Sequence, residues 1–175
     1  MNYIHPYNSP LGKITLASDG SNIIGLWFDG QKYFPDKLRE YEENELPIFE
    51  LTAKWLDIYF SGNIPDFMPP IKINSTPFRK TVWGILQTIP YGKTITYGEI
   101  AKEIAKQKGL SKMSAQAIGG AISHNLVSLI IPCHRVIGAN GNLTGYAGGI
   151  ERKIKLLELE GVNLMATHTM KKNKI

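Results

Sequence analysis

The chain has 175 residues, of which 43% are hydrophobic and 10% aromatic, enough to bury one ordinary core or two small lobes and too apolar for a disordered chain. Its net charge of +5 is divided unevenly: residues 1–75 carry six Lys and Arg against ten acids, and residues 76–175 carry 14 against five, so the positive field belongs to the second part and suits a polyanion such as nucleic acid. No run approaches the roughly 18 apolar residues of a membrane span, and Met1 to Pro6 lack a basic start followed by an apolar core, which reads against both a membrane segment and a signal peptide.

In chain order, the first 30 residues read as a small antiparallel sheet: Met1 to Tyr7, Lys13 to Ala17, an Asp19-Gly20 turn, and Ile23 to Phe28 closed by Asp29-Gly30. Pro47 opens a helix whose apolar face is predicted from Ile48, Leu51, Trp55, Ile58 and Tyr59, with Gly62 just past its end. Asn63 to Ser75 holds three prolines and no helical period, and reads as an extended connector. The division falls near residue 75, giving residues 1–75 as an N-terminal lobe and residues 76–175 as a second domain. Thr76-Pro77 caps a helix carrying Phe78, Val82, Ile85, Leu86 and Ile89, and Pro90-Tyr91-Gly92 stops it.

Thr96-Tyr97-Gly98-Glu99 has the spacing of a capping box, in which two side chains satisfy two orphan backbone donors at a helix start. That helix runs through Ile100, Ala101 and Ile104 to Gly109, and Ser111 or Ser114 can cap a second one, Ala115 to Ile122. Two short helices around a Gly-containing turn form a helix-turn-helix. Its second helix is surfaced largely by Ala and Gly, so close backbone approach is expected and little reading of base edges. The Lys-rich end, Lys171 to Ile175, reads as a frayed tail.

Cys133 is the only cysteine, which excludes an intramolecular disulfide and a Cys-rich zinc site. It lies in Ile130-Ile131-Pro132-Cys133-His134-Arg135-Val136, where the neighbouring His and Arg are expected to lower the thiol pKa and make it a nucleophile. No Gly-rich phosphate loop or His/Cys cluster suggests a metal or a small-molecule methyl donor.

Taken together, Tyr91 to Tyr97, Gln116 to Ala121, Asn125, the Pro-Cys-His-Arg-Val core and Gly145-Tyr146-Ala147-Gly148-Gly149 resemble the O6-alkylguanine-DNA alkyltransferases. The resemblance runs from residue 76 to 161 without a gap, and implies an α+β fold: an N-terminal ribonuclease-H-like α/β lobe, then a mostly helical, winged-helix-like domain containing the helix-turn-helix. It implies a partner, double-stranded DNA containing O6-alkylguanine, with a small alkyl group passing once and irreversibly to Cys133 after the nucleotide is flipped out. No cofactor, metal or membrane is implied, and the chain is expected to act as a monomer in the cytoplasm, or the nucleus of a eukaryotic source.

By the same resemblance His134 is the base, acting through a water, and Glu160 orients its imidazole, although Glu160 alone reads as a solvated charge at a helix end. Tyr97 donates to N3 of guanine and the Ala147 amide to O6, while the carbonyls of Cys133 and Val136 accept from the exocyclic amine. Asn125 buttresses the turn before the cysteine, Tyr146 lines the alkyl pocket with Gly148 beside it, and Lys153 closes one side. Thr96, Gln116, Ala117, Gly119, Gly120 and Arg135 are expected at the DNA.

Three positions depart from the family pattern. Gln116 replaces an arginine that fills the gap left by the flipped base, so weaker DNA binding with intact chemistry is expected. Leu126 stands where proline commonly follows the asparagine, and Ala147 lacks the hydroxyl of some relatives. Alternatives remain at this stage: a cysteine hydrolase, a non-catalytic binder of alkylated DNA, and a DNA-binding regulator.

Overall fold

The computed structural model describes residues 1–164 and divides the chain into two compact units, so the Lys-rich end lies outside the described residues. One unit comprises Met1–Asn74 and Leu126–Ile130; the other comprises Ser75–Asn125 and Ile131 onward. Strand content is concentrated in the first and helix content in the second, an α+β arrangement. Among the described residues no helix is long and apolar enough to cross a membrane.

The first unit is built on strands β1 (Tyr3–Ser9), β2 (Gly12–Ser18) and β3 (Ile23–Phe28), joined as an antiparallel meander, with a two-residue β4 (Glu42–Glu43) added parallel to β1. The Asp19 carboxylate accepts from the amides of Ser21 and Asn22, which explains why that dipeptide turns the chain. The free edge of β3 is covered by two later segments. Ile23 exchanges backbone hydrogen bonds with Pro70 and Lys72, and Leu26 does the same with Leu126 and Ser128. The predicted connector therefore supplies one cover and the run after Asn125 supplies the other. Leu126 packs on a cluster of Ala17, Trp27 and Leu38, so the residue standing in place of a proline anchors its segment by apolar burial.

Helix α1 (Pro47–Phe60) starts at Pro47 as predicted, but its face is rotated. Ile48, Phe49, Thr52, Trp55, Leu56 and Tyr59 are buried, whereas Leu51 and Ile58 are only half-buried. The buried set follows the 3.6-residue period more closely, and Thr52 joins it because its hydroxyl donates to the Ile48 carbonyl at 2.7 Å.

The second unit packs α2 (Pro77–Leu86), α3 (Tyr97–Lys108) and α4 (Ala115–Ser123) together, followed by α5 (Ile150–Leu159). Val82, Trp83, Leu86, Ile100, Ile104, Ile118 and Ile122 form its interior, each worth about 1.5–3 kcal/mol over exposure. The Trp83 indole N–H donates to the Ala121 carbonyl at 2.8 Å and ties α2 to α4. Both halves of the predicted capping box are present at Thr96 and Glu99, Gly109 ends α3 in the left-handed conformation, and Ser114 caps α4. Short strands β5 (Ile95–Thr96) and β6 (Val136–Ile137) pair in parallel, joining the start of α3 to the chain just after the cysteine.

Candidate active site

The cysteine loop is a single tight turn, Cys133–Arg135, entered from Pro132 and left through β6. Asn125, at the exit of α4, donates from its side-chain amide to the Ile131 carbonyl at 2.8 Å, so the buried amide holds the loop from the helix side. Cys133 is buried, with 4% of its surface exposed. Burial pushes its thiol above the ordinary value, and the Asn125 amide and the Lys153 ammonium only partly offset this. The expected lowering of the thiol pKa by its sequence neighbours is therefore corrected. His134 and Arg135 direct their charge-bearing groups to Glu160, and desolvation dominates at the sulfur.

Glu160 caps the end of α5 and is buried, not solvated. Its Oε2 lies 2.5 Å from His134 Nε2, and its Oε1 accepts from Arg135 Nε at 2.7 Å and from the Gly92 amide at 3.0 Å. Burial raises this carboxyl, but the hydrogen bonds from His134 and Arg135 and the Arg135 charge outweigh it and hold the group well below the ordinary carboxylate value. Burial also pushes the His134 imidazole down, further than Glu160 pulls it up, with the cations Arg135 and Lys153 adding to the fall. A neutral imidazole leaves Arg135 as the charge that keeps Glu160 ionised. It also fixes the tautomer: Nε2–H donates to the carboxylate, and Nδ1 keeps its lone pair.

Arg135, predicted at the DNA, is thus engaged inside the protein. A second guanidinium nitrogen donates to the Ile89 carbonyl at 2.7 Å, the group lies 5.8 Å from the centroid of the Tyr91 ring, and the side chain is only 11% exposed. In the sequence Pro90-Tyr91-Gly92 reads as a helix stop, and Tyr91 and Gly92 also begin the first motif of the family resemblance, with no role given to either. In the structure the Tyr91 hydroxyl donates to the Leu159 carbonyl at 3.2 Å, and Gly92 has φ of +76° with its α-carbon face 2.9 Å, at the place of a Cβ, from the Glu160 carbonyl. The turn holds Glu160 by close approach that a side chain would block, and no spacing in the sequence announces it.

Tyr97 opens α3 and donates its hydroxyl to the Thr144 carbonyl at 3.1 Å. The same carbonyl accepts from Lys153 Nζ at 3.2 Å, and Lys153 also donates to Val136, so one buried ammonium joins the strand after the cysteine to the loop before Tyr146. Burial lowers Lys153 to about 8, while negative charge at Cys133 acts to raise it. Val136 retains a second lone pair on its carbonyl. Thr144 was not anticipated because only its backbone is used. Tyr146 is buried with a hydroxyl that has no hydrogen-bond partner among the described residues, and Gly148 lies against its ring. Ala147 between them is half-buried.

On α4, Gln116, Ala117 and Gly120 are exposed and Gly119 half-buried, and beyond the helix's own backbone and the chain neighbours no atom of the described residues comes within 4 Å of a Cβ placed at either glycine. The helix therefore offers bare backbone on one side and buries Ile118, Ala121 and Ile122 on the other. Thr96 contributes its side chain to the α3 cap. Structure thus brings Cys133, His134, Glu160, Asn125 and Lys153 into one buried network, with Tyr97 joined to it through Thr144, and leaves the α4 residues on a separate open face.

Residues 77–162 match the DNA binding domain of 6-O-methylguanine DNA methyltransferase, and residues 2–73 match its ribonuclease-like domain. A methylated-DNA--protein-cysteine methyltransferase of Mycobacterium leprae is 40% identical over 163 residues, covering 93% of this chain and 94% of that protein. One from Methanosarcina acetivorans is 43% identical over 162 residues, covering 91% and 98%. The solved structure of Mycobacterium tuberculosis OGT in complex with DNA is similar with a TM-score of 0.79 at 40% identity, covering 90% of this chain and 92% of that one. Two matched domains, relatives alike over nearly their whole length, and an independently built cysteine network agree: the chain belongs to the 6-O-methylguanine DNA methyltransferase family.

Proposed function

We propose that this chain repairs DNA by direct reversal, moving a methyl or other small alkyl group from O6 of guanine, and also from O4 of thymine, to Sγ of Cys133. The observation that carries the reading is the buried His134–Glu160 pair, one residue along the chain from a buried thiol whose pKa is raised. A protonated thiol is a poor nucleophile, and the adjacent neutral imidazole with a lone pair on Nδ1 is the base it needs. His134 takes the thiol proton through a water, and Glu160, kept anionic by Arg135, stabilises the imidazolium. Sulfur attacks the alkyl carbon in line: the S–C bond forms, the C–O6 bond breaks, and the electron pair stays with guanine.

The leaving group is met by donors placed where its charge develops, the Tyr97 hydroxyl at N3 and the Ala147 amide at O6. The thiol proton ends on the departing guanine. Lys153 steadies the sulfur while it is anionic and holds Val136 and the loop of Gly148 in place. Tyr146 lines the alkyl pocket, and Asn125 fixes the loop that presents the sulfur. The target nucleotide is flipped from duplex DNA by the open face of α4, with Gln116 filling the stack and Ala117, Gly119, Gly120 and Thr96 along the backbone. Residues 76–175 are proposed as the DNA-binding and alkyl-acceptor domain and residues 1–75 as an N-terminal lobe, in a monomer acting in the cytoplasm, or in the nucleus of a eukaryote.

The product is a thioether, with no carbonyl for water to attack, so each molecule acts once. Mass spectrometry after mixing with duplex DNA containing O6-methylguanine tests the reading. One methyl on the peptide carrying Cys133, absent in Cys133→Ala, is expected. Many turnovers of a soluble product would point to a hydrolase, and DNA binding with no change in mass to a non-catalytic binder or regulator.

A further inference from the structure

Outside the cysteine network, the second unit carries a groove of about 490 Å³ between α3, the turn and the first residue of α4, Ala115. Its apolar lining includes Ala101, Leu110 and Met113, and its polar lining includes three lysines, Lys102, Lys106 and Lys112, all exposed. Among the described residues none of the three has an ion-pair partner. The acids of α3 are turned elsewhere: Glu99 accepts from the Thr96 amide, and Glu103 accepts from the Gln107 side chain. Lys102 and Lys106 stand four residues apart on one helix face, a spacing at which like charges repel unless an anion sits between them.

We infer that this groove is a seat for the phosphate backbone of duplex DNA, with Lys102, Lys106 and Lys112 neutralising phosphates beside the strand that α4 approaches. The inference rests on the reading of α4 as a DNA-facing helix and extends it to residues that no resemblance assigns. It also gives Gln116 a physical context. The cation absent from the open face of α4 is made up by three on its flank, where they bind phosphate without entering the stack. Phosphate contacts of this kind hold register and affinity and carry no base sequence.

The test is the salt dependence of binding to unmodified duplex DNA. Each phosphate neutralised contributes about 0.9 to the slope of log K against log salt. Replacing Lys102, Lys106 and Lys112 together by Gln is expected to lower the slope by about 2–3, and Lys112→Gln alone by about 1. A charge-matched control, Lys32, Lys37 and Lys54 to Gln in the first unit, is expected to change it by less than about 1. Alkyl transfer to Cys133 from the free base O6-benzylguanine, which brings no phosphate, is expected to stay within about twofold for all variants. An unchanged slope, or equal falls in the groove and control variants, overturns the proposal and turns the groove towards an acidic protein. Failure of methyl transfer from duplex DNA containing O6-methylguanine in every protein would remove the alkyl-transfer reading while leaving the slope to decide the groove.

Discussion

Arg135 follows His134 in the chain, yet its guanidinium serves Glu160 from one edge and the Ile89 carbonyl from another. Removing it leaves a carboxylate buried with one cation fewer. Arg135→Met is therefore expected to lose about 3–5 kcal/mol of stability, read as a fall in Tm, because an uncompensated charge stays inside. The slope of DNA binding against salt should not change, and a drop near one unit would return Arg135 to the phosphates. Sequence order identified Cys133, His134 and Arg135 as a chemical cluster but misjudged the sign at the sulfur. Adjacent residues project in different directions, so charge close in sequence was not charge close to the thiol. Glu160 was legible only through family resemblance, since nothing in Leu-Glu-Leu-Glu-Gly marks one glutamate as buried.

Among the elements, α4 was the most legible, because Ala and Gly at its exposed positions state plainly that backbone is being offered. Its stability and its function should pull in opposite directions. Gly120→Gln adds a helix-favouring residue where no atom of the described residues beyond the helix's own backbone and the chain neighbours lies within 4 Å, and should gain about 0.5–1 kcal/mol while weakening binding to duplex DNA. Gln116→Arg, on the same face, should bind more tightly by adding a cation to a neutral position. Thermal unfolding and binding at one salt concentration check both, and a Gly120→Gln protein that binds as the parent does would take α4 off the DNA. Helix α1 and the edge of β3 were less legible. A helix apolar on several sides permits more than one face, and the run Leu126 to Ile130 alternates too little to declare itself a sheet partner.

For the whole molecule, acid is the condition that exposes the site's electrostatics. His134 is neutral in the folded protein, so the unfolded chain binds the extra proton as pH falls below about 6.5, and stability begins to decline there. Glu160, ordinarily near 4.5 and held below that value in the folded protein, adds a second loss as pH falls below about 4.5. Both pKa values are depressed on folding, so both contributions are intact above the unfolded values and lost below them. Denaturant unfolding from pH 7 to 3 should show a two-stage decline, and a flat profile would contradict the assignment of a neutral His134 beside an ionised Glu160.

The return of Leu126–Ile130 to the first unit bears on how the molecule is made. A ribosome releases the β-meander long before it releases the segment that pairs with Leu26, and chain synthesised first ordinarily folds first. Here the earliest strands must wait, with part of the β3 edge bare, until residue 130 has emerged. Val127, Leu129 and Ile130, buried in the finished protein, are withheld from that edge for the same interval. The nascent chain thus carries an unpaired strand edge through most of its synthesis, the feature most prone to pair with another chain. Ribosome-bound intermediates, and fragments cut near residue 75, are where aggregation should concentrate, even though the completed protein keeps that edge covered.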